Sequence, residues 1–409
     1  SWKIEVEEAV AFSLIEEIIV KNKNSIFFEE LLIAVRQSYK KMLCPSIELE
    51  VFMLKLKESE VEAISVFSKN LRKLLLAPPA GHKNILGVDP GYRAGCKMAV
   101  IDSNGNFKDN DQMFPHPPQN KSSLAEKILV NLIKKYKIEL VAIGHGTASK
   151  ETDVFVKEIL KKNGFDCKVV VVNEAGASVY SASATAKREF PNLDILIRGA
   201  ISIARRLQDP LSELIKIDPK SIGVGQYQHD VNQVELKKIL AFVVESCVNH
   251  VGVDLNTASQ DILSFISGVG KSTAKSIYQY RIEHGSFTNK NELLKVPKLG
   301  EKVFQQCAGF LRIFNGNNPL DNSAIHPENY SLVENMARDQ GFRIVDLIGN
   351  ESLISKIKPE DYASGGLGLL TIEDILKELI KPGVDPRKDF VYIQHNSRIN
   401  EIEDLEEEM

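Results

Sequence analysis

Asp89 closes the apolar run Asn84–Asp89 and is followed at once by Pro90-Gly91, so its carboxylate stands at the end of a predicted strand beside a turn. A carboxylate held this way suits divalent-metal chemistry, in which two Mg²⁺ ions about 4 Å apart need several converging oxygen ligands. Glu174, just past the predicted strand Lys168–Val172, is the candidate second ligand. The other positions disagree. His145, within Ile143-Gly144-His145-Gly146, offers an imidazole where a carboxylate is wanted, and Arg198 on the following helix offers a guanidinium that repels Mg²⁺. The expectation is a structural network in which Arg198 pairs with Asp89 or Glu174. On that expectation there is no catalytic residue, metal or cofactor, and Asp89 and Glu174 are vestigial ligands.

A second constellation points to phosphate. Phe265 to Ile277 has the form apolar-x-Gly-apolar-Gly-x-x-x-Ala, the signature of a helix-hairpin-helix turn around Gly268-Val269-Gly270. The glycines permit a sharp turn that leaves the N–H groups at the start of the next helix facing outward, with Lys271 and Lys275 one helical turn apart beside them. A weaker copy follows at Val296 to Phe304, with Lys298, Gly300 and Lys302 but without the first glycine. Such turns hold backbone phosphate and carry no base information, so binding should be sequence-independent and salt-sensitive. Gly268 to Ser272 is not a P-loop, because Phe265 stands where GxxxxGK[ST] needs its first glycine.

Charge has to be weighed locally. The net charge of −4 argues against a general attraction to nucleic acid. From Asn256 to Asn315, however, eight basic residues (Lys271, Lys275, Arg281, Lys290, Lys295, Lys298, Lys302, Arg312) face four acidic ones. Glu401 to Met409 carries six acids and no base, the pattern of a solvated end. Five scattered cysteines without a CxxC pair suggest neither a disulfide framework nor a zinc site, which fits a reducing compartment. No apolar run is long enough to span a membrane.

The elements that must position these groups follow from periodicity. Helical spacing runs to about Leu76, and Ala77-Pro78-Pro79-Ala80-Gly81 ends it. Strands are predicted over 84–89, 96–102, 107–114, 140–144 and 168–172, with helices over 122–136, 150–163, 177–187 and 194–207. The order βββαβαβα belongs to an α/β sheet with an antiparallel edge. Helices return after Asp209-Pro210, Asn315 to Pro319 forms a loop, and Gly365-Gly366 makes a break. The fold class is multidomain, mainly α with one α/β domain. Its divisions are a helical region over 1–80, an α/β domain over 81–210, a helical connector over 211–255, a tandem helix-hairpin-helix over 256–316, a helical domain over 317–395 and an acidic tail over 396–409.

The stretches VDPGYRAGCKMAVID (Val88 to Asp102), IGHGTASKETD (Ile143 to Asp153), NEAGASVYSAS (Asn173 to Ser183), RGAISIARRLQDPL (Arg198 to Leu211) and KSIGVGQYQHDVN (Lys220 to Asn232) resemble the Tex family. So do VGVDLNTAS (Val251 to Ser259) and HPENY (His326 to Tyr330), in the family's order, with divergences like those of an animal member. The resemblance implies a YqgF/RuvC-like, RNase H-like domain, a tandem helix-hairpin-helix module, a further helical domain, a C-terminal S1 domain and a role near transcription. His145 stands where the family has Asn, and the chain ends about where the S1 barrel would start.

The expected function is a noncatalytic scaffold for single- or double-stranded RNA or DNA, in the nucleus rather than the cytoplasm, with transcription machinery as a further partner and no membrane. A two-metal nuclease using Asp89 and Glu174, or a platform for protein partners, are the alternatives.

Overall fold

The computed structural model describes residues 4–314, 316–363 and 368–391. Asn315, the Gly365-Gly366 break and the acidic run Glu401 to Met409 lie outside the described residues. The chain divides into two compact units. One comprises the residues up to Phe67 with Tyr227–Leu236, the other Ser68–Gln226 with the residues from Lys237 onward.

In the first unit α1 (Glu8–Ile19) precedes α2 (Phe28–Ser38), which passes through a π-turn at Tyr39–Leu43 into α3 (Cys44–Leu75), whose residues from Ser68 onward belong to the second unit. Phe12 meets Tyr39 edge-to-face at 5.0 Å. Val20, Val35 and Tyr39 are buried, while Val10, Leu14 and Ile18, spaced by one helical turn, stay exposed.

The second unit begins with β1 (Ile85–Asp89), β2 (Cys96–Ile101) and β3 (Phe107–Met113), an antiparallel meander. Then come α4 (Ser122–Tyr136), β4 (Leu140–Gly144), α5 (Ser149–Asn163) and β5 (Lys168–Val172), followed by α6 (Ala177–Ala182), α7 (Ala184–Glu189) and α8 (Ile195–Gln208). The strand order is β3-β2-β1-β4-β5, with β1, β4 and β5 parallel, which makes a mixed RNase H-like sheet. Alternation along β1 builds two cores. Leu86 and Val88 pack with Leu129 and Leu132 of α4 and Val156 and Leu160 of α5. Ile85 faces Ala200, Ile203 and Ala204 of α8. The helix expected over 177–187 is instead broken at Ser183. That residue is extended (ψ 160°), and its side chain accepts a bond from Ala186 N–H to cap the second piece.

Beyond the sheet lie α9 (Pro210–Leu214), α10 (Gln233–Val251), β6 (Val253–Asp254), α11 (Gln260–Leu263), α12 (Lys271–His284), α13 (Glu301–Cys307) and β7 (Leu311–Arg312). β6 pairs parallel with β7, so the start and end of the hairpin module are tied together. α14 (Tyr330–Asp339), α15 (Ile344–Leu347), α16 (Glu351–Ile354) and α17 (Leu369–Ile380) then enclose a core of Val333, Met336, Leu347, Ile372 and Leu379. Among the described residues no helix is long and apolar enough to cross a membrane.

The contact of α8 with β1 is unusually close. A Cβ added at Gly87 would collide with the carbonyl oxygen of Ala200 and lie 2.9 Å from Ala204 Cβ. Gly87→Ala should therefore cost about 1–3 kcal/mol of stability, the usual cost of overpacking, seen as a lower urea midpoint at an unchanged m-value. An unchanged midpoint would mean that α8 can move off the strand freely.

Candidate nucleic-acid interface and the carboxylate pair

At the C-terminal end of the parallel strands, Asp89 and Glu174 occupy adjoining sites that glycines keep open. A Cβ at Gly199 of α8 would lie 3.2 Å from Asp89 Oδ2, and one at Gly144 or Gly146 would collide with the Glu174 carboxylate. Burial, and then the charge of Glu174, push the Asp89 carboxyl up to about 6. The cation that opposes this is Lys97, the cross-strand partner of Asp89 in the β1–β2 register. Lys97 is 6% exposed, and its ammonium donates to the carbonyls of Ala94 and Gly95. Burial lowers its pKa, against the pull of Asp89.

Arg198 was expected in that place and is elsewhere. Though buried, it donates to Phe190 O at 3.1 Å and Ser181 O at 3.4 Å, and it makes no ion pair among the described residues. The physical reason is local. The ends of α6 at Ser181 and of α7 at Phe190 leave carbonyls that the guanidinium satisfies. The positioning arginine is Arg206, two turns further along α8. Its Nη1 donates to Asn173 O (2.9 Å) and Ala175 O (2.7 Å), the carbonyls on either side of Glu174. His145 is exposed, and its N–H donates to Val172 O. Among the described residues no three His, Cys, Asp or Glu side chains are grouped to hold a metal.

The hairpin module shows the same backbone turn twice. Gly268 has φ +79°, and Val269, 3% exposed, bonds back to Ile266 O. Thirty residues later Lys298 has φ +70°, and Leu299, equally buried, bonds back to Val296 O. The missing glycine of the second copy is thus a lysine held in the left-handed region. Gly268 is required twice over, since a Cβ there would also lie 2.8 Å from Gln306 Cβ.

Gly270 and Gly300 differ from this. Their φ values are −76° and −87°, and a Cβ at either would meet nothing within 4 Å. The conformation alone would accept a side chain, contrary to the expectation that Gly270 is needed for the turn. As N-caps of α12 and α13, both leave the helix start without a side-chain bond, whereas Ser259 and Asn289 cap the other two helical turns of the module. The amides beside them are therefore open to an external acceptor.

Of the basic residues in this window, Lys271, Lys275, Lys295, Lys298 and Lys302 are exposed. Lys290 is instead 1% exposed, its ammonium on Ser323 O and Ile325 O, with its pKa lowered by burial to about 8. Arg312 is buried as well, and Arg281 donates to Leu255 O and Ala258 O.

Residues 83–208 match the Tex protein YqgF-like domain, 248–312 the helix-hairpin-helix motif and 318–387 the HHH domain. The chain is 51% identical to the transcriptional accessory protein Tex of Neisseria gonorrhoeae over 373 residues, which is 91% of this chain and 49% of that protein. It is 50% identical to protein YhgF of Escherichia coli over 85% of this chain and 45% of that one. With the human S1 RNA-binding domain-containing protein 1 it shares 44% identity over 68% of this chain and 28% of the relative. The chain spans about half the length of the bacterial relatives it matches.

Two outcomes follow from this geometry. A carboxyl whose folded value exceeds its ordinary one takes up its proton before the unfolded chain does, so Asp89 by itself makes stability rise as pH falls from about 6 toward 4. In an NMR titration Glu174→Gln should bring the Asp89 value down, and Lys97→Met should raise it. Equal titration in all three proteins would refute the coupling. Separately, Lys298→Gly should raise stability by about 1 kcal/mol in thermal or urea melts by relieving the left-handed strain. A loss of stability would show that Lys298 is not strained.

Proposed function

Because the chain belongs to the Tex family over the region it spans, we propose that it is a noncatalytic module gripping the sugar–phosphate backbone of RNA or DNA without reading sequence. The observation that carries this is the duplicated turn, in which an uncapped, glycine-flanked helix start sits beside exposed lysines at Lys271 and Lys275 and again at Lys298 and Lys302. Glycines with room for a side chain and ordinary φ make sense where a phosphate oxygen must approach the amides directly.

The sheet domain serves in this reading as scaffold. Asp89 has one internal ammonium opposite it, and the pair lacks a third ligand among the described residues, which supports a structural site rather than one for two metal ions. The names of the relatives support a role alongside transcription. The identity to bacterial proteins favours a compartment shared with the genome over a specifically nuclear one.

The test is fluorescence anisotropy with single-stranded RNA, single-stranded DNA and duplex at several salt concentrations, with and without Mg²⁺. The Lys271→Ala/Lys275→Ala protein should bind all sequences more weakly by a similar factor, with a salt slope smaller by about two units, one per lysine. Unaltered affinity and slope would leave the hairpins as structural caps and favour a platform for protein partners. Mg²⁺-dependent cleavage abolished by Asp89→Asn would instead establish the nuclease.

A further inference from the structure

β5 is the last strand of its sheet. Its bonds to β4 run through alternate residues, since Lys168 N–H donates to Glu139 O and Val172 O accepts from His145 N–H. Along a parallel ladder this alternation turns the N–H and C=O groups of Val169 and Val171 to the outer edge. No partner meets them there among the described residues.

A cleft of about 170 Å³ runs beside this edge. One wall is Val170 and Val172, another the end of α3 at Leu74 with Pro78, and a third Leu214 of α9. Val171 points to the opposite face of the sheet yet also lines the cleft, so the opening reaches the strand's backbone edge. The cation in the wall is Arg206, 5% exposed. One of its terminal nitrogens holds the Asn173 and Ala175 carbonyls, while its Nε is buried without a partner. Burial lowers its pKa against the pull of Glu213 and then Glu174, and neither carboxylate forms an ion pair with it among the described residues.

We propose that this edge docks an extended segment of a partner protein, which adds a strand to β5, places an aliphatic side chain in the cleft and sets an acidic side chain against Arg206. Unpaired main-chain donors and acceptors call for another main chain, which a small carboxylate would not supply. A second copy of β5, Lys168-Val169-Val170-Val171-Val172, brings no acid and would leave Arg206 unpaired. The site lies at the β5 edge, between the sheet and the ends of α3 and α9, and does not depend on the hairpins.

The experiment is selection of random peptides of about ten residues, a full strand length, on the purified chain. The best synthetic peptide is then measured by anisotropy and amide hydrogen exchange. The enriched peptides should combine strand-forming residues with an aliphatic residue and an Asp or Glu, and binding should slow exchange at the Val169 and Val171 amides. Val171→Pro removes an outward N–H while sparing the ladder to β4, and Arg206→Gln removes the cation. Each should weaken binding at least about tenfold, the scale of a lost charge pair or main-chain bond at an interface. Circular dichroism checks folding, and Val171→Pro decides the matter if Arg206→Gln does not fold. No enrichment, a consensus without an acid, or binding indifferent to Val171→Pro would overturn the proposal. Self-association in sedimentation that Val171→Pro abolishes would assign the edge to a second copy instead.

Discussion

The contact on which the second unit depends most is backbone on backbone, where α8 lies against β1 at Gly87 with only Ala200 and Ala204 between them. No side chain can adjust there, so helix and strand have one mutual placement. From it follow the position of Gly199 beside Asp89 and of Arg206 beneath the loop that carries Glu174. The same helix thus organises the carboxylate pair and supplies one wall of the cleft next to β5. A larger residue anywhere along this seam would disturb both places together.

Buried cations recur throughout the chain, and most of them serve carbonyl oxygens rather than carboxylates. Lys97, Lys290, Arg198 and Arg206, together with the half-buried Arg281, each close a turn or join two segments in this way. A carbonyl offers a lone pair without a second charge to desolvate, so each such bond supports the cation without the penalty of burying an ion pair. Lys290 shows the structural gain: it fastens the hairpin module to the segment Ser323–Ile325 that leads into the last helical group. These residues spend their donors inside the fold, and the exposed positive face of the hairpins is narrower than a count of lysines and arginines suggests.

The sheet was largely legible because its signals are local. Apolar strands bounded by Pro90-Gly91 and Asn104-Gly105 leave little choice of register, and the predicted limits of β4, β5 and α4 coincide with those observed. The opposing cation at Asp89 becomes legible only when the turn after Asp89 is taken as a hairpin, which makes Lys97 its cross-strand partner. Arg198 is polar on an apolar helix, but its partners are carbonyls at Ser181 and Phe190 that periodicity cannot place. The equivalence of Lys298 to Gly268 was equally hidden, since a lysine gives no sign that it adopts φ +70°.

The two hairpin turns are closed into one frame by the pairing of β6 with β7. On the reading proposed above, each turn is a weak grip on phosphate, and a pair held in one frame would behave differently from two independent ones. Once one turn is engaged, the other meets its target at a high effective concentration, so a polymer presenting successive phosphates is retained while free phosphate ions are not. Release can then proceed one grip at a time, which lets such a module shift along a strand without leaving it. Selectivity of this sort is for length and spacing, and it needs no contact with a base.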